Sequence, residues 1–219
     1  MGKPNAQEVH KFLASAYGIP KKIHNGPVET LIITILSQNT NDKNRDIAYS
    51  RFRKKFRTWE SARIAPLSSI ERAIRPAGLS KSKSKSIKFA LKRIKKERGA
   101  YSLAFLRKKP LEEARGYLLS FPGVGLKTAA VVLSFSLGKP AFPVDTHIFR
   151  VSKRLGLIPE KTTVEKAHEL LEAAIPPEKR HSLHLLLIQH GRKICHARKP
   201  ECPACFLREI CAYKFKTRI

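Results

Sequence analysis

Apolar residues recur at helical spacing along almost the whole chain, while strand-like alternation of apolar and polar residues is nearly absent. Turn signals rich in Gly and Pro interrupt the pattern, as in Asn-Gly-Pro at 25–27 and Pro-Ala-Gly at 76–78. The pattern predicts helices at residues 5–17, 28–37, 42–56, 67–75, 83–97, 111–119, 126–137, 145–155, 163–174 and 178–192. A chain of 219 residues, 42% of them hydrophobic, can bury a core as one compact domain or as two small ones. We therefore expect an all-α fold.

The chain carries 44 Lys and Arg residues against 17 Asp and Glu residues, which gives a formal net charge of +27. Such an excess favours a polyanionic partner, and nucleic acid is the usual one. A solvated basic surface, or association with tRNA or the ribosome, would account for the same excess. Charge alone does not distinguish DNA from RNA, although the imbalance over the whole chain favours contact with a nucleic acid.

The sequence also indicates where such a protein works. It has no stretch of 18 apolar residues, so we expect neither a transmembrane helix nor a membrane partner. The N-terminal residues lack the apolar segment of a secretory signal. We therefore expect an intracellular protein, in the cytoplasm or nucleoid of a prokaryote.

The four cysteines of the chain all lie within its last 25 residues, at positions 195, 202, 205 and 211. Their spacing is C-x6-C-x2-C-x5-C. In a reducing compartment, cysteines are held as thiolates on a metal more often than as disulfides. Four thiolates serve zinc as well as an iron–sulfur cluster, so the spacing alone leaves both open.

A second motif lies at residues 121–130, which read Phe-Pro-Gly-Val-Gly-Leu-Lys-Thr-Ala-Ala between two predicted helices. Gly123 and Gly125 permit a tight turn, and the backbone N–H groups of the turn would lie at the start of the next helix. Such a turn can bind an anion, and a nucleic-acid phosphate would fit. A Gly-x-Gly turn alone is weak evidence, but Lys127 follows it at once in a strongly basic chain.

Asp145, within Val144-Asp145-Thr146-His147, allows two interpretations. It can be the N-cap of the helix that follows, where its carboxylate would accept a free backbone N–H. Alternatively, it can be paired with Lys127 across a cleft. The residues themselves leave both interpretations open.

The hairpin at residues 122–125 with Lys127, the segment around Asp145 and the cysteine spacing resemble, in order and spacing, the helix-hairpin-helix DNA glycosylases of the endonuclease III type. The resemblance covers about residues 5–213. It implies a two-lobed all-α fold: residues 27–139 form a six-helix barrel lobe with the hairpin, and residues 1–26 with 140–219 form the second lobe. The resemblance also implies a 4Fe-4S cluster.

The cluster would be held by the loop at 195–211, with Cys195, Cys202, Cys205 and Cys211 as ligands. The partner implied is double-stranded DNA with a damaged base or an abasic site, bound by a monomer with the target nucleotide flipped between the lobes.

The resemblance also implies a mechanism. Lys127 would attack C1′ of the damaged nucleotide, and Asp145 would stabilise the positive charge that develops on the sugar. The adduct becomes a Schiff base, and β-elimination then cuts the strand 3′ to the lesion. Monofunctional members of the family lack this lysine, so we expect a bifunctional glycosylase and lyase that acts on oxidised pyrimidines. A non-catalytic DNA-binding protein with the same hairpin is the alternative of another class.

Side chains that enter the gap left by a flipped base are expected in two loops. The family carries an intercalating Gln in the first of these loops, and counting along Leu36–Asp42 puts Asn39, not Gln38, at that position. An Asn at this position resembles the plant 5-methylcytosine glycosylases. This makes a mismatched thymine or uracil, or 5-methylcytosine, the alternative substrate. Leu79 matches the second position at which the family inserts a side chain into the duplex as a wedge, although ordinary packing would also explain this leucine. The DNA contacts expected are Gln38, Asn39, Leu79, Gly123, Val124 and Gly125.

The alternating Lys-Ser run at 81–86 is predicted to form the first turn or two of a helix with apolar residues at Ile87, Leu91 and Ile94. We expect its lysines on a solvated face or a phosphate-facing one.

Overall fold

The computed structural model describes residues 4–21 and 25–213, and every regular element within those ranges is helical. The all-α prediction is thus confirmed. The chain divides into two compact units, one of residues 24–139 and one of residues 1–23 with 140–219. We call the first the hairpin unit and the second the cysteine unit. Among the described residues, no helix has the length and apolar character needed to cross a membrane.

The hairpin unit is built from seven α-helices within its described part. They are α2 (Pro27–Ser37), α3 (Asp42–Lys55), α4 (Trp59–Ile64), α5 (Leu67–Ile74), α6 (Ser80–Arg98), α7 (Leu111–Leu119) and α8 (Leu126–Val131). Short 3-10 turns lie at Arg75–Ala77 and Ala104–Lys108, and a π-helical turn at Val132–Ser136 continues α8. The cysteine unit contains α1 (Ala6–Tyr17), α9 (Thr146–Leu155), α10 (Val164–Ala174), α11 (Pro177–Lys193) and a 3-10 turn at Cys202–Ala204.

Helix α2 is apolar on nearly every side, which is typical of a helix buried all round. Leu31, Ile32, Ile35 and Leu36 are all fully buried or nearly so. The helix contacts α3, α6 and α8. Its C-terminal end therefore lies among several elements of the hairpin unit, and the loop predicted to enter DNA begins there.

Two features of the hairpin unit differ from the prediction. Helix α4 was not predicted, because six residues are too few to show a helical period. A capping box between Thr58 and Ser61 starts it. Helix α6 begins at Ser80, earlier than the predicted residue 83, while the Lys-Ser run forms its first turns, as predicted.

The cysteine unit packs α1 against α11 and α11 against α9. Its core brings Val9 and Leu13 together with Ile148, Leu183 and Leu187, all of them fully buried. After α11, the described chain to residue 213 contains only one short 3-10 turn as regular structure. The segment with the cysteines must therefore be held by contacts other than a helical hydrogen-bond ladder.

Candidate active site

The turn between α7 and α8 requires a glycine. Gly123 has φ of +79°, a conformation that residues with a side chain seldom adopt. A Cβ at this position would lie 2.5 Å from Ser86 Oγ on α6. The amide of Val124 donates to the carbonyl of Phe121 at 3.0 Å and closes the turn. The predicted hairpin is thus present, packed closely on a neighbouring helix.

The hairpin leaves backbone donors at the start of α8. The N-cap residue, Gly125, provides no side-chain cap for the first turn of the helix. The N–H groups of Gly123 and Gly125 donate to no described residue, whereas that of Val124 is used within the turn. Free N–H groups at a helix N-terminus form a site for an anion. Val124 is itself largely buried, so its contribution within the structure is packing.

Lys127 is the second residue of α8 and is exposed. Its Nζ makes no hydrogen bond or ion pair with any residue in the described ranges. A lysine that is neither buried nor paired can present its amine to a molecule outside the protein. Its position next to the free N–H groups of Gly123 and Gly125 would bring that amine close to a bound phosphate backbone.

Asp145 is the N-cap of α9, as one of the two interpretations predicted. Its Oδ1 accepts from the backbone N–H of Ile148 at 2.8 Å. The side chain is only partly buried, so the carboxylate is both oriented by the helix and open to a ligand. The capping role and a catalytic role are compatible, because the cap uses one carboxylate oxygen.

Gln38 has a structural contact that the sequence did not reveal. Its Nε2 donates to the carbonyl of Gly123 at 2.8 Å and lies 3.3 Å from Thr128 Oγ1. The side-chain amide therefore ties the loop after α2 to the hairpin. Asn39, the next residue of this loop, is exposed and has φ of +49°. Asn is among the few residues other than Gly that tolerate this left-handed conformation.

Leu79 also has a left-handed backbone, with φ of +48° and ψ of +34°. Leucine rarely adopts this conformation, and a strained residue persists only where its surroundings hold it. The side chain is 57% exposed. Ordinary packing therefore does not explain Leu79, and its conformation displays an apolar side chain at the surface.

The four cysteines border a single pocket, lined also by His190 and Arg154. All four are partly exposed thiols. Among the described residues, no three His, Cys, Asp or Glu side chains are grouped so as to hold a metal ion. All four thiols thus surround a common space.

Arg154, on α9, holds the start of the cysteine loop. Its Nη1 donates to Cys195 Sγ at 3.3 Å and to the carbonyl of His196 at 2.6 Å, and its Nη2 donates to the carbonyl of Ala197 at 3.1 Å. The guanidinium also stacks on the ring of Tyr213, 4.6 Å from its centroid. A planar group with several donors in a fixed fork suits this task.

Arg150 lies one helical turn before Arg154 and acts in the same way. Its Nε donates to the carbonyl of Cys195 at 3.1 Å, and its Nη2 donates to the carbonyl of Gly191 at 2.9 Å. Neither arginine was predicted from the sequence as a functional residue. Their spacing of four residues, which places them on one face of a helix, was the available signal.

His190 is buried and links α1 to the cysteines. Its Nδ1 lies 3.2 Å from the hydroxyl of Tyr17, and its Nε2 lies 3.7 Å from Cys205 Sγ. Burial lowers the pKa of His190 to about 4, so the ring is neutral near pH 7. A neutral imidazole can accept from Tyr17 at one nitrogen and donate to sulfur from the other.

Sequence comparison places this arrangement among known proteins. Residues 32–177 match the model of the HhH-GPD superfamily of base excision DNA repair proteins. Endonuclease III of Sulfolobus acidocaldarius is 37% identical over 186 residues, which cover 84% of this chain and 81% of that protein. A candidate DNA glycosylase of Arabidopsis thaliana is 40% identical over 168 residues, or 77% of this chain, and the match spans 57% of the plant protein's length.

Two solved structures share the fold along nearly the whole chain. A non-covalent endonuclease III–DNA complex aligns with a TM-score of 0.82 at 31% identity, covering 96% of this chain and 95% of that one. A trapped covalent endonuclease III–DNA intermediate aligns with a TM-score of 0.79, also at 31% identity, covering 96% of each chain. The chain therefore belongs to the HhH-GPD superfamily of base excision DNA repair proteins, as a DNA glycosylase and AP lyase of the endonuclease III type.

Proposed function

We propose that Lys127 is the nucleophile of this enzyme and that Asp145 assists it. The observation that carries the proposal is the exposed, unpaired amine of Lys127, which adjoins the free N–H groups of the hairpin. Backbone amides can bind a DNA phosphate, and binding there would bring the sugar of the target nucleotide towards the amine.

In the proposed reaction, the deprotonated amine of Lys127 attacks C1′ of the damaged nucleotide. The bond from C1′ to the base breaks, and the base leaves with the electron pair and takes up a proton. Opening of the sugar ring then yields a Schiff base between Nζ and C1′. Loss of a proton from C2′ expels the 3′ phosphate and cuts the strand. The carboxylate of Asp145 would stabilise positive charge on the sugar during these steps.

We propose further that Asn39 and Leu79 fill the space that the flipped nucleotide leaves in the duplex. Both side chains are exposed, and both stand on left-handed backbone. Gln38, whose amide is engaged with Gly123, would support the loop instead of entering the DNA. Gly123 and Gly125 would contact phosphate through their N–H groups, while Val124 would support the turn.

The lesion class proposed is oxidised pyrimidines. Asn39 gives a specific reason to test a second class, mismatched thymine or uracil and 5-methylcytosine, because its shorter amide reaches one methylene less far than the Gln of the family. Preference for the base opposite the lesion should depend on this residue.

The cysteine loop is proposed to hold a 4Fe-4S cluster through Cys195, Cys202, Cys205 and Cys211. A pocket bordered by all four thiols fits a group that is held by four cysteine ligands, as a 4Fe-4S cluster is. The cluster would stabilise this loop and shape its surface, since four thiolate ligands would leave no open position for a substrate. Four reduced cysteines would also suit an intracellular location.

Borohydride trapping tests the nucleophile. We expect the wild-type protein to form a covalent adduct with duplex DNA that contains thymine glycol or an abasic site. Lys127→Ala should form no adduct and lose strand cleavage by roughly 10⁴-fold or more. Lys92→Ala, at an exposed lysine of the same unit, is the matched control and should trap normally. Absence of an adduct from the wild-type protein on every lesion would refute the proposed lyase step.

A panel of duplexes, each with a single modified or mismatched base, tests the substrate. We expect excision to be fastest on oxidised pyrimidines. Faster release of thymine from G·T pairs, or of 5-methylcytosine, would instead favour the second class. Each duplex should be paired with all four opposite bases, so that the contribution of Asn39 can be read from the same data.

A further inference from the structure

One lysine of the Lys-Ser run is not a surface residue. Lys83, on α6, is only 2% exposed, which corrects the expectation of a solvated or phosphate-facing side chain. Its Nζ donates to the carbonyls of Leu36 at 2.8 Å, Gln38 at 2.7 Å and Ala77 at 2.8 Å. An ammonium group has three N–H donors, so these three bonds use them all. Burial lowers the pKa of Lys83 from its ordinary value.

The three carbonyls lie in or beside two separate loops. Leu36 lies in the last turn of α2, where carbonyls lack helical partners and a positive charge is favourable. The Gln38 carbonyl belongs to the peptide unit that leads into Asn39. The Ala77 carbonyl lies in the 3-10 turn that leads to Leu79. One buried cation therefore joins the loop of Asn39 to the loop of Leu79.

Both loops carry a conformation that needs support. In the described ranges, the residues other than Gly with positive φ are Asn39, Leu79 and Lys199, so two of the three adjoin the carbonyls that Lys83 binds. Left-handed backbone is unfavourable for a residue with a side chain, and it persists only where surrounding contacts hold it. The bonds from Lys83 are well placed to hold both loops at once.

We propose that Lys83 is a positioning residue that holds Asn39 and Leu79 at a fixed separation, so that both can enter the duplex when the target base leaves it. This inference rests on the wedge roles proposed above for those two residues. Lys83 cannot itself contact a phosphate or attack a sugar, because it is buried and its three donors are engaged. Its effect on the reaction would therefore pass entirely through the two loops.

Lys83→Met tests the proposal, since methionine retains an unbranched chain but has no donor. Lys88→Met is the matched control: Lys88 lies on the same helix, and its Nζ donates to one carbonyl, that of Ala65, outside both loops. Two rates would be measured for each variant under single-turnover conditions, namely excision of thymine glycol and cleavage at a preformed abasic site. Fluorescence of 2-aminopurine opposite the lesion would report local unstacking.

We expect Lys83→Met to slow excision by roughly 10–100-fold, because misplacement by about 1 Å can have this effect. Cleavage at the abasic site should fall by less than about 3-fold, because no base must be unstacked there. The 2-aminopurine signal should fall, and amides at 38–41 and 78–80 should exchange hydrogen faster. Lys88→Met should match the wild type in all four measurements.

Equal excision and fluorescence in Lys83→Met and Lys88→Met would overturn the proposal, as would an equal loss of both reactions. If Lys83→Met does not fold, Lys83→Arg retains the charge, but its planar fork cannot reach three converging carbonyls in the same way. In that case, the proposal would be overturned if Lys83→Arg had the same ratio of excision rate to abasic-site cleavage rate as the wild type. The wedge roles themselves fail separately, if Asn39→Ala and Leu79→Ala both excise and unstack like the wild type.

Discussion

The hairpin unit and the cysteine unit position their functional residues by different means. In the hairpin unit, Gly123, Asn39 and Leu79 are set by unusual backbone conformations on or beside regular helices. In the cysteine unit, the loop after α11 is held by arginine side chains that donate to its carbonyls, chiefly Arg150 and Arg154. The first arrangement is complete within the polypeptide, whereas the second surrounds a pocket lined by four thiols.

This difference separates chemistry from stability. Changes to the exposed functional side chains of the hairpin unit should alter the reaction and leave the fold largely intact, whereas changes to its unusual backbone conformations should also lower stability. Changes around the cysteines should first alter the stability of the loop. Asp145 affects both stability and the reaction, since it caps a helix of the cysteine unit and is proposed to act on the sugar.

Asp145 offers the sharpest test of this separation. Asn caps a helix about as well as Asp, so Asp145→Asn should keep the cap and remove only the charge. We expect excision to fall by roughly 10²–10⁴-fold with little change in the melting temperature. Asp145→Ala should show the same kinetic loss and, in addition, lose about 1 kcal/mol of unfolding free energy.

Thr163→Ala is the control for Asp145, because Thr163 caps α10 of the same unit through its side chain. This variant should lose stability without losing activity. Single-turnover excision and thermal unfolding of the four proteins would separate capping from chemistry. Wild-type excision by Asp145→Asn would show that Asp145 is only a cap.

Removal of a thiol tests whether the cysteine loop depends on a cluster. We expect Cys202→Ser to lose bound iron and to lower the melting temperature by roughly 5–10 °C, which corresponds to about 2–3 kcal/mol in a chain of this size. Hydrogen exchange should increase around 195–211 and remain unchanged in the hairpin. Ala204→Ser, in the same 3-10 turn, is the matched control and should retain iron. If Cys202→Ser keeps the melting temperature of the wild type, the cysteine loop does not depend on a cluster for its stability.

Gly123→Ala tests whether the hairpin unit depends on its unusual backbone conformations. The added Cβ would meet Ser86 Oγ at 2.5 Å in a left-handed conformation, so we expect a loss of about 1–3 kcal/mol, measured by denaturant unfolding. Combination with Ser86→Ala should recover part of the loss, since it removes the hydroxyl. Gly116→Ala, in α7 with no atom near its Cβ, should be neutral or slightly stabilising. An equal effect at both glycines would rule out the geometric explanation.

Arg154→Lys should have the smallest effect. Lysine keeps the charge but loses the fork that reaches Cys195 Sγ and two carbonyls, so we expect a loss of about 1 kcal/mol. Faster hydrogen exchange confined to the cysteine loop, with excision nearly unchanged, is the expected result. A large loss of excision without loosening of the loop would point instead to a direct role of Arg154 in the reaction.

Much of this molecule was predictable from local patterns. The helical period, the Gly-x-Gly turn and the N-cap at Asp145 each depend on residues within a few positions of one another, so a single segment carries the whole signal. Helix α4 was not predicted, because its only local signal is one short capping box. Leu79 was assigned its position by resemblance, but its left-handed backbone could not be predicted, since leucine does not favour it.

The contacts that no local pattern showed join residues far apart in the chain. Lys83 looked like one of several equivalent lysines, yet it is buried and binds a carbonyl 47 residues away. Gln38 reaches Gly123 across 85 residues, and Arg154 reaches Cys195 across 41. The sequence by itself determined the helices, the hairpin with Lys127 and the cysteine set, because short-range chemistry specifies each of them. Only the tertiary structure decided which lysine, amide and arginines hold those parts in place, because their partners are backbone carbonyls and a cysteine thiol that packing alone brings within reach.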